Sequence, residues 1–166
     1  VLLILFDQFT KMLAVAHLKN QPSNVLIDGV FELRYLENRG SAFGMMQNKL
    51  IILIPVTVVV TLLILYLFFK KLPATRHFFW LNAVAVLFFA GAIGNFIDRV
   101  RQGYVVDFFY FSLINFPIFN VADIYVTAAA FLLIFLCLFY YKEEDFEQIF
   151  PSGSSRKHSS EKKDNE

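Results

Sequence analysis

The sequence predicts an all-α membrane protein with four transmembrane helices, and three observations carry that expectation. Of its 166 residues, 57% are hydrophobic. Of its 29 acidic and basic side chains, 12 fall in the last 25 residues, so the first 141 are as poor in charge as a membrane-embedded chain. Residues 50–69 and 78–97 each supply the roughly 20 mostly apolar residues that cross a bilayer. The former holds no charge, and the latter has only Asn82 and Asn95 as strongly polar members.

Residues 1–18 read as a first span cut short. The stretch is apolar apart from Asp7, Gln8, Thr10, Lys11 and His17, yet only six residues precede Asp7. At 1.5 Å per residue these cover roughly 9 Å of a core about 30 Å thick, so upstream residues of the helix are expected beyond the sequence. A cleaved signal peptide fits less well, because Asp7 and Lys11 interrupt the apolar region and no small-residue cleavage site precedes Asn20. Lys19 to Lys49 is polar, with strand-like VFELRYLE, and KKLPATRH at 70–77 is a short connection. Residues 98–119 mix charges with aromatics. The fourth span covers 121–141, so residues 1–141 form a single membrane-embedded domain. The tail, 142–166, is polar, low in complexity and expected to be disordered beyond its first turn. Pro55 is tolerable as a kink, and Ala90 with Gly94 gives the small-residue spacing that lets membrane helices approach.

Net charge near +1, with no basic run upstream of the tail, gives no sign of nucleic-acid binding. The lone Cys137 permits no intramolecular disulfide and reads as a buried, inert thiol. His17, His77 and His158 are scattered and no H-E-x-x-H occurs, so a zinc site would lack ligands. Ser41 with Lys11 as base is a weak nucleophile candidate in a glycine-containing turn. Basic residues divide about evenly between the two sides and leave orientation open.

The informative residues are carboxylates where a charge costs at least about 2.5–3.5 kcal/mol. With alternating spans, Asp7, Asp98, Asp107 and Asp123 gather near one interface. Asp7 and Lys11 are four apart and can neutralise each other on one helical face. Asn95 with Asp98, and Asn120 with Asp123, are each three apart, which sets an amide beside an acid to orient it or to bind substrate backbone. Lys11, Arg99 and Arg101 supply enough positive charge to hold Asp98 ionised. Asp107, in YVVDFFYF, has no charged residue between it and Asp123, so desolvation and a second acid should raise a carboxyl pKa there. Two acids sharing a proton activate water for peptide hydrolysis. Asp98 with Asp123 and Asp107 with Asp123 both remain possible, and desolvation favours the second. Clustered acids also suit a proton- or ion-conducting membrane protein, or a non-enzymatic scaffold, but no acid stands near the midplane of the second or third span.

Five motifs in order resemble the bacterial lipoprotein signal peptidases, signal peptidase II. They are DQFTK at Asp7 to Lys11, NRGSAF at Asn38 to Phe43, GNFIDR at Gly94 to Arg99, VVDF at Val105 to Phe108 and FNVAD at Phe119 to Asp123. The resemblance implies a four-helix aspartic endopeptidase of the bacterial inner membrane that cleaves diacylglyceryl-modified prolipoproteins just before the lipid-bearing cysteine. It implies that Asp107 and Asp123 are the catalytic pair. Asn38, Gly40, Asn95, Asp98, Arg99, Asn120, Ala122, Asp7 and Lys11 become supporting or substrate-contacting positions. It further implies cytoplasmic termini, a pair of acids towards the outer leaflet, and a small extracytoplasmic β-cradle with a short interfacial helix within Lys19 to Lys49. No metal or organic cofactor is implied; the partners are the prolipoprotein and membrane lipid, and a monomer is expected. Ile124 departs from the family pattern, standing where a small hydroxyl residue is frequent.

Overall fold

The computed structural model describes residues 1–40 and 49–151. Helix α1 (Leu2–Leu18) leads into strands β1 (Asn24–Ile27) and β2 (Phe31–Asn38). Helices α2 (Leu50–Lys70) and α3 (Phe79–Gln102) follow, then strand β3 (Val105–Tyr110), a 3-10 turn at Ser112–Ile114, α4 (Val121–Phe139) and α5 (Glu143–Ile149). Three of these helices, α2, α3 and α4, are long and apolar enough to cross a membrane. Their outward side chains are apolar: Ile51, Val59, Leu62 and Phe131 are exposed, as lipid-facing residues are. α1 is an additional N-terminal helix whose buried residues are Asp7, Lys11, Ala14 and Leu18.

Helix α3 continues past the apolar run that ends at residue 97, so Asp98 and Arg99 lie on its last turns. It stops at Gly103, whose φ of 79° is the left-handed conformation that a glycine adopts without a Cβ penalty; its N–H bonds back to the Arg99 carbonyl. The chain then turns directly into β3, which completes an antiparallel sheet in the order β1-β2-β3. The third strand comes from 105–110, outside the segment from which the cradle was expected. Asn38 pairs with Val105 and Leu36 with Asp107, and a register shift between Leu33 and Leu36 bends the ladder. An isolated antiparallel bridge joins Phe109 to Phe119, which fixes the approach to α4 against β3. Asn120 then starts α4 with a capping box: its side chain accepts from the Asp123 N–H, and the Asp123 side chain accepts from the Asn120 N–H.

Two apolar clusters hold the helices. Ala14, Leu18, Val106, Phe108 and Val121 pack α1 and α4 beneath the sheet. Phe78, Val84, Ala129, Leu136, Tyr141 and Ile149 close the other end. Between them α3 and α4 touch so closely that a Cβ on Gly91 would stand 2.6 Å from the Ala122 carbonyl oxygen. Of the spacing singled out in the sequence, Ala90 and Gly94 are both buried, and Gly94 joins Gly91 in this contact, where a Cβ on it would stand 3.2 Å from the Ala122 Cβ.

Two expectations are corrected. Cys137 is exposed on α4, not buried. At the start of the tail the helix runs past the first turn: Glu143–Ile149 is helical, with Ile149 buried, and Tyr141 just before it stacks on Phe78. An apolar side at Phe146, Ile149 and Phe150 within an otherwise acidic stretch gives this segment something to bury. The short interfacial helix expected before Lys49, Ser41, and residues 152–166 of the tail fall outside the described residues.

Candidate active site

Asp107 projects from β3 and is 1% exposed. Its Oδ2 accepts from Asn38 Nδ2 at 2.8 Å, and its Oδ1 from Asn120 Nδ2 at 2.6 Å. Burial pushes its pKa up to about 7, reinforced by the Asp123 charge and opposed by the two amides. Asp123, on the first turn of α4, accepts from Asn95 Nδ2 at 2.8 Å and from the Asn120 backbone N–H at 3.1 Å. The Asn95 Oδ1 accepts in turn from Asn120 Nδ2 at 3.1 Å and from Lys11 Nζ at 2.9 Å. Asn120 thus uses its whole amide: Nδ2 serves Asp107 and Asn95, while Oδ1 caps α4. A closed chain of hydrogen bonds, Asp107–Asn120–Asn95–Asp123, therefore ties the two acids to one frame.

Behind that frame lies a buried ionic cluster. Lys11 Nζ stands 3.0 Å from Asp7 Oδ2 and 3.0 Å from Asp98 Oδ2. Gln8 Nε2 bridges Asp7, the Gly94 carbonyl and Asp98. Asp98 Oδ2 also accepts from the Val106 N–H at 3.2 Å, and Asp7 Oδ1 from the Ala122 N–H at 2.9 Å. One ammonium and several N–H donors compensate two buried carboxylates, and the same bonds lock β3 and the start of α4 to α1 and α3.

Asp107 and Asp123 line a cavity of about 450 Å³ together with Asn38, Asn95 and Arg99. Phe116 to Phe119 form one wall, and Ile124, Thr127 and Phe131 of α4 form another. Arg99 Nη2 donates to the Gly40 carbonyl at 3.2 Å, whereas its buried Nε finds no partner among the described residues.

Of the two acid pairs the sequence left open, Asp107 and Asp123 share this cavity, while Asp98 is committed to Lys11, Gln8 and the backbone of β3. Asp98 is neutralised by Lys11, with no part played by Arg101 in its contacts. The spacing of Asn95 and Asp98 suggested a pair, but Asn95 turns instead to Asp123 and Lys11. Asn38, Gly40 and Ala122 fall within this network as well. Sequence reasoning missed Gln8, whose place inside DQFTK was its only signal, and the wall at 116–119, which carries no polar mark.

The family described as Signal peptidase (SPase) II matches residues 1–139. A lipoprotein signal peptidase of Caldanaerobacter subterraneus subsp. tengcongensis is 45% identical over 137 residues, covering 82% of this chain and 90% of that protein. That of Clostridium tetani is 41% identical, covering 89% and 92%. A bacterial membrane enzyme solved by the in meso method at 2.3 Å superposes with a TM-score of 0.73 at 32% identity, covering 86% of this chain and 88% of that one. A second such structure, at 1.9 Å, gives 0.72 at 34% identity, covering 85% and 90%. With its fold, its paired acids and relatives of this similarity over most of its length, the chain belongs to the signal peptidase II family of membrane aspartic peptidases.

Proposed function

We propose that this lipoprotein signal peptidase, which cleaves signal peptides from prolipoproteins, acts on diacylglyceryl-modified precursors just before the lipid-bearing cysteine, with Asp107 and Asp123 as its catalytic pair. The observation that carries the assignment is the hydrogen-bonded frame that turns both carboxylates towards one cavity. With a pKa of about 7, Asp107 can carry the shared proton near neutral pH, which leaves Asp123 to act as the base. Asp123 takes a proton from water as its oxygen bonds to the scissile carbonyl carbon, and Asp107 gives its proton to the carbonyl oxygen. Collapse of the tetrahedral gem-diol breaks the C–N bond as Asp123 passes its proton to the leaving nitrogen and one hydroxyl proton of the diol returns to Asp107, yielding an acid and an amine. The pair ends with one proton, as it began.

The site also suits the substrate. The apolar wall along Ile124, Val126 and Phe131 offers lipid-depth surface to a signal-peptide segment, and the acids stand at the end of that wall. A precursor anchored by acyl chains would present its cleavage site at this depth. We read α1 as a fourth membrane helix, since Asp7 and Lys11 meet Asp98 at the acid-bearing end of the bundle. On this reading the sheet covers the extracytoplasmic side in the bacterial inner membrane and the termini are cytoplasmic.

Incubating the purified protein with a diacylglyceryl precursor and with its unlipidated counterpart tests the substrate class. Cleavage of the lipidated form alone is expected. Equal cleavage of both, or of neither, overturns the proposal.

A further inference from the structure

The end of the bundle opposite the acids holds a second cavity, of about 300 Å³, between α2, α3, α4 and α5. Every side chain lining it is apolar, from Leu67 on α2 and Phe88 on α3 to Leu133 on α4 and Phe150 after α5. Most of the lining is half-buried, so the space is open at its side. A cavity of this chemistry does not hold water well, and walls left without contacts forfeit dispersion energy. Residues 152–166 contain no apolar side chain that could fill it.

The rim is basic. Lys71 Nζ lies 5.9 Å from the centre of the Phe150 ring, Lys70 is the last residue of α2, and Arg76 lies in the short connection from α2 to α3. None of the three is ion-paired among the described residues. The acids of α5 compete only in part: Asp145 is held by His77 at 2.8 Å and by the Lys142 N–H at 2.9 Å, while Glu143, Glu144 and Glu147 are exposed. Basic pockets between membrane helices attract anionic lipid headgroups, each Lys or Arg adding to the attraction.

We propose that this cavity binds a membrane phospholipid with an anionic headgroup, one acyl chain filling the apolar space and the phosphate lying against Lys71. Such a lipid would bridge α2, α3 and α5, and so hold the C-terminal helix onto the bundle. The site lies apart from the two acids, so peptidase turnover serves as an independent check on folding.

The test uses the full chain in non-ionic detergent with phosphatidylglycerol or phosphatidylcholine of identical acyl chains, read by native mass spectrometry and thermal unfolding. Wild type is expected to retain phosphatidylglycerol preferentially and to unfold at higher temperature with it. Lys71→Gln should weaken that lipid about fivefold while leaving phosphatidylcholine unchanged. Ala85→Phe and Leu133→Phe, which fill the cavity at two different helices, should each abolish the preference while turnover persists. Equal retention of the two lipids by wild type overturns the proposal, as does undiminished phosphatidylglycerol binding by both filled variants.

Discussion

Asn120 Nδ2 donates to Asp107 Oδ1 at 2.6 Å, while the Asn120 backbone N–H donates to Asp123 Oδ2 at 3.1 Å. One residue thereby holds both acids, and it does so because it is the N-cap of α4. The helix start that fixes Asp123 on its first turn is also what aims the Asn120 amide at β3. Secondary-structure capping and the geometry of the acid pair are a single arrangement.

Substitutions at Asn120 should separate these two roles. Asn120→Ala removes the cap, worth about 1 kcal/mol, together with the Asp107 bond. Asn120→Ser keeps a capping oxygen but is too short to reach Asp107. The serine variant is expected to unfold near the wild-type temperature yet turn over substrate at least about tenfold more slowly, a change of about 1.4 kcal/mol in the barrier. Thermal unfolding with parallel turnover measurement checks this; equal activity would mean that the amide does not orient the acid.

Loss of either acid should be far more severe. Asp107→Asn and Asp123→Asn each remove a proton-transfer group while keeping shape, and cleavage of a lipidated precursor should fall by about 10²–10⁴-fold or more. Retained thermal unfolding transitions would show that the loss is chemical.

The pH dependence has a definite sign. Asp107 has its folded pKa raised from an ordinary 3.8 to about 7, chiefly by burial, so its protonated form is the one the fold favours. Its contribution to stability is fully present below about pH 4 and is lost as pH rises through 7. Wild type should therefore lose stability relative to Asp107→Asn between about pH 4 and 7, whatever offset the new amide introduces. Activity should fall above pH 7 as the proton carrier empties, with apparent pKa values that belong to the pair. Turnover and unfolding across this range measure both.

How much of this was legible beforehand depends on range. The spans could be read because hydropathy is local, and the spacing of Asn120 and Asp123 was visible because a capping box needs only three residues. The preference for Asp107 over Asp98 could be read only from desolvation; what occupies Asp98 is Lys11, 87 residues away in sequence, and the Val106 N–H that the turn at Gly103 brings to it. Asn95 misled for the same reason: its neighbour in sequence lost to Asp123 across a helix interface. The buried face of α5 was obscured by the charges around it, which share the stretch but not the side of the helix that packs.

Lys11 is expected to be the costliest buried cation to remove. Without it Asp7 and Asp98, both almost fully buried, face each other uncompensated, and Lys11→Met should destabilise by about 3–5 kcal/mol. Adding Asp98→Asn should recover part of that loss, because one carboxylate can still be satisfied by Gln8 and the Ala122 N–H. A double-mutant cycle by thermal unfolding measures the coupling; strictly additive losses would place the cluster's stability elsewhere.

Gly94 shows how tightly the ionic cluster and the acids are joined. A Cβ there would stand 2.5 Å from Asp7 Oδ2 and 3.2 Å from the Ala122 Cβ, and Asp7 is the acceptor for the Ala122 N–H. Gly94→Ala must therefore push Asp7 out of its place or move the first turn of α4, which carries Asp123. Overpacking of this kind costs about 1–3 kcal/mol. Because the displaced turn bears one of the two acids, activity should fall by more than stability alone explains, even at temperatures where the variant is fully folded. Turnover measured well below the unfolding transition decides the point: a Gly94→Ala protein that is folded and fully active would show that α4 can shift without disturbing the pair.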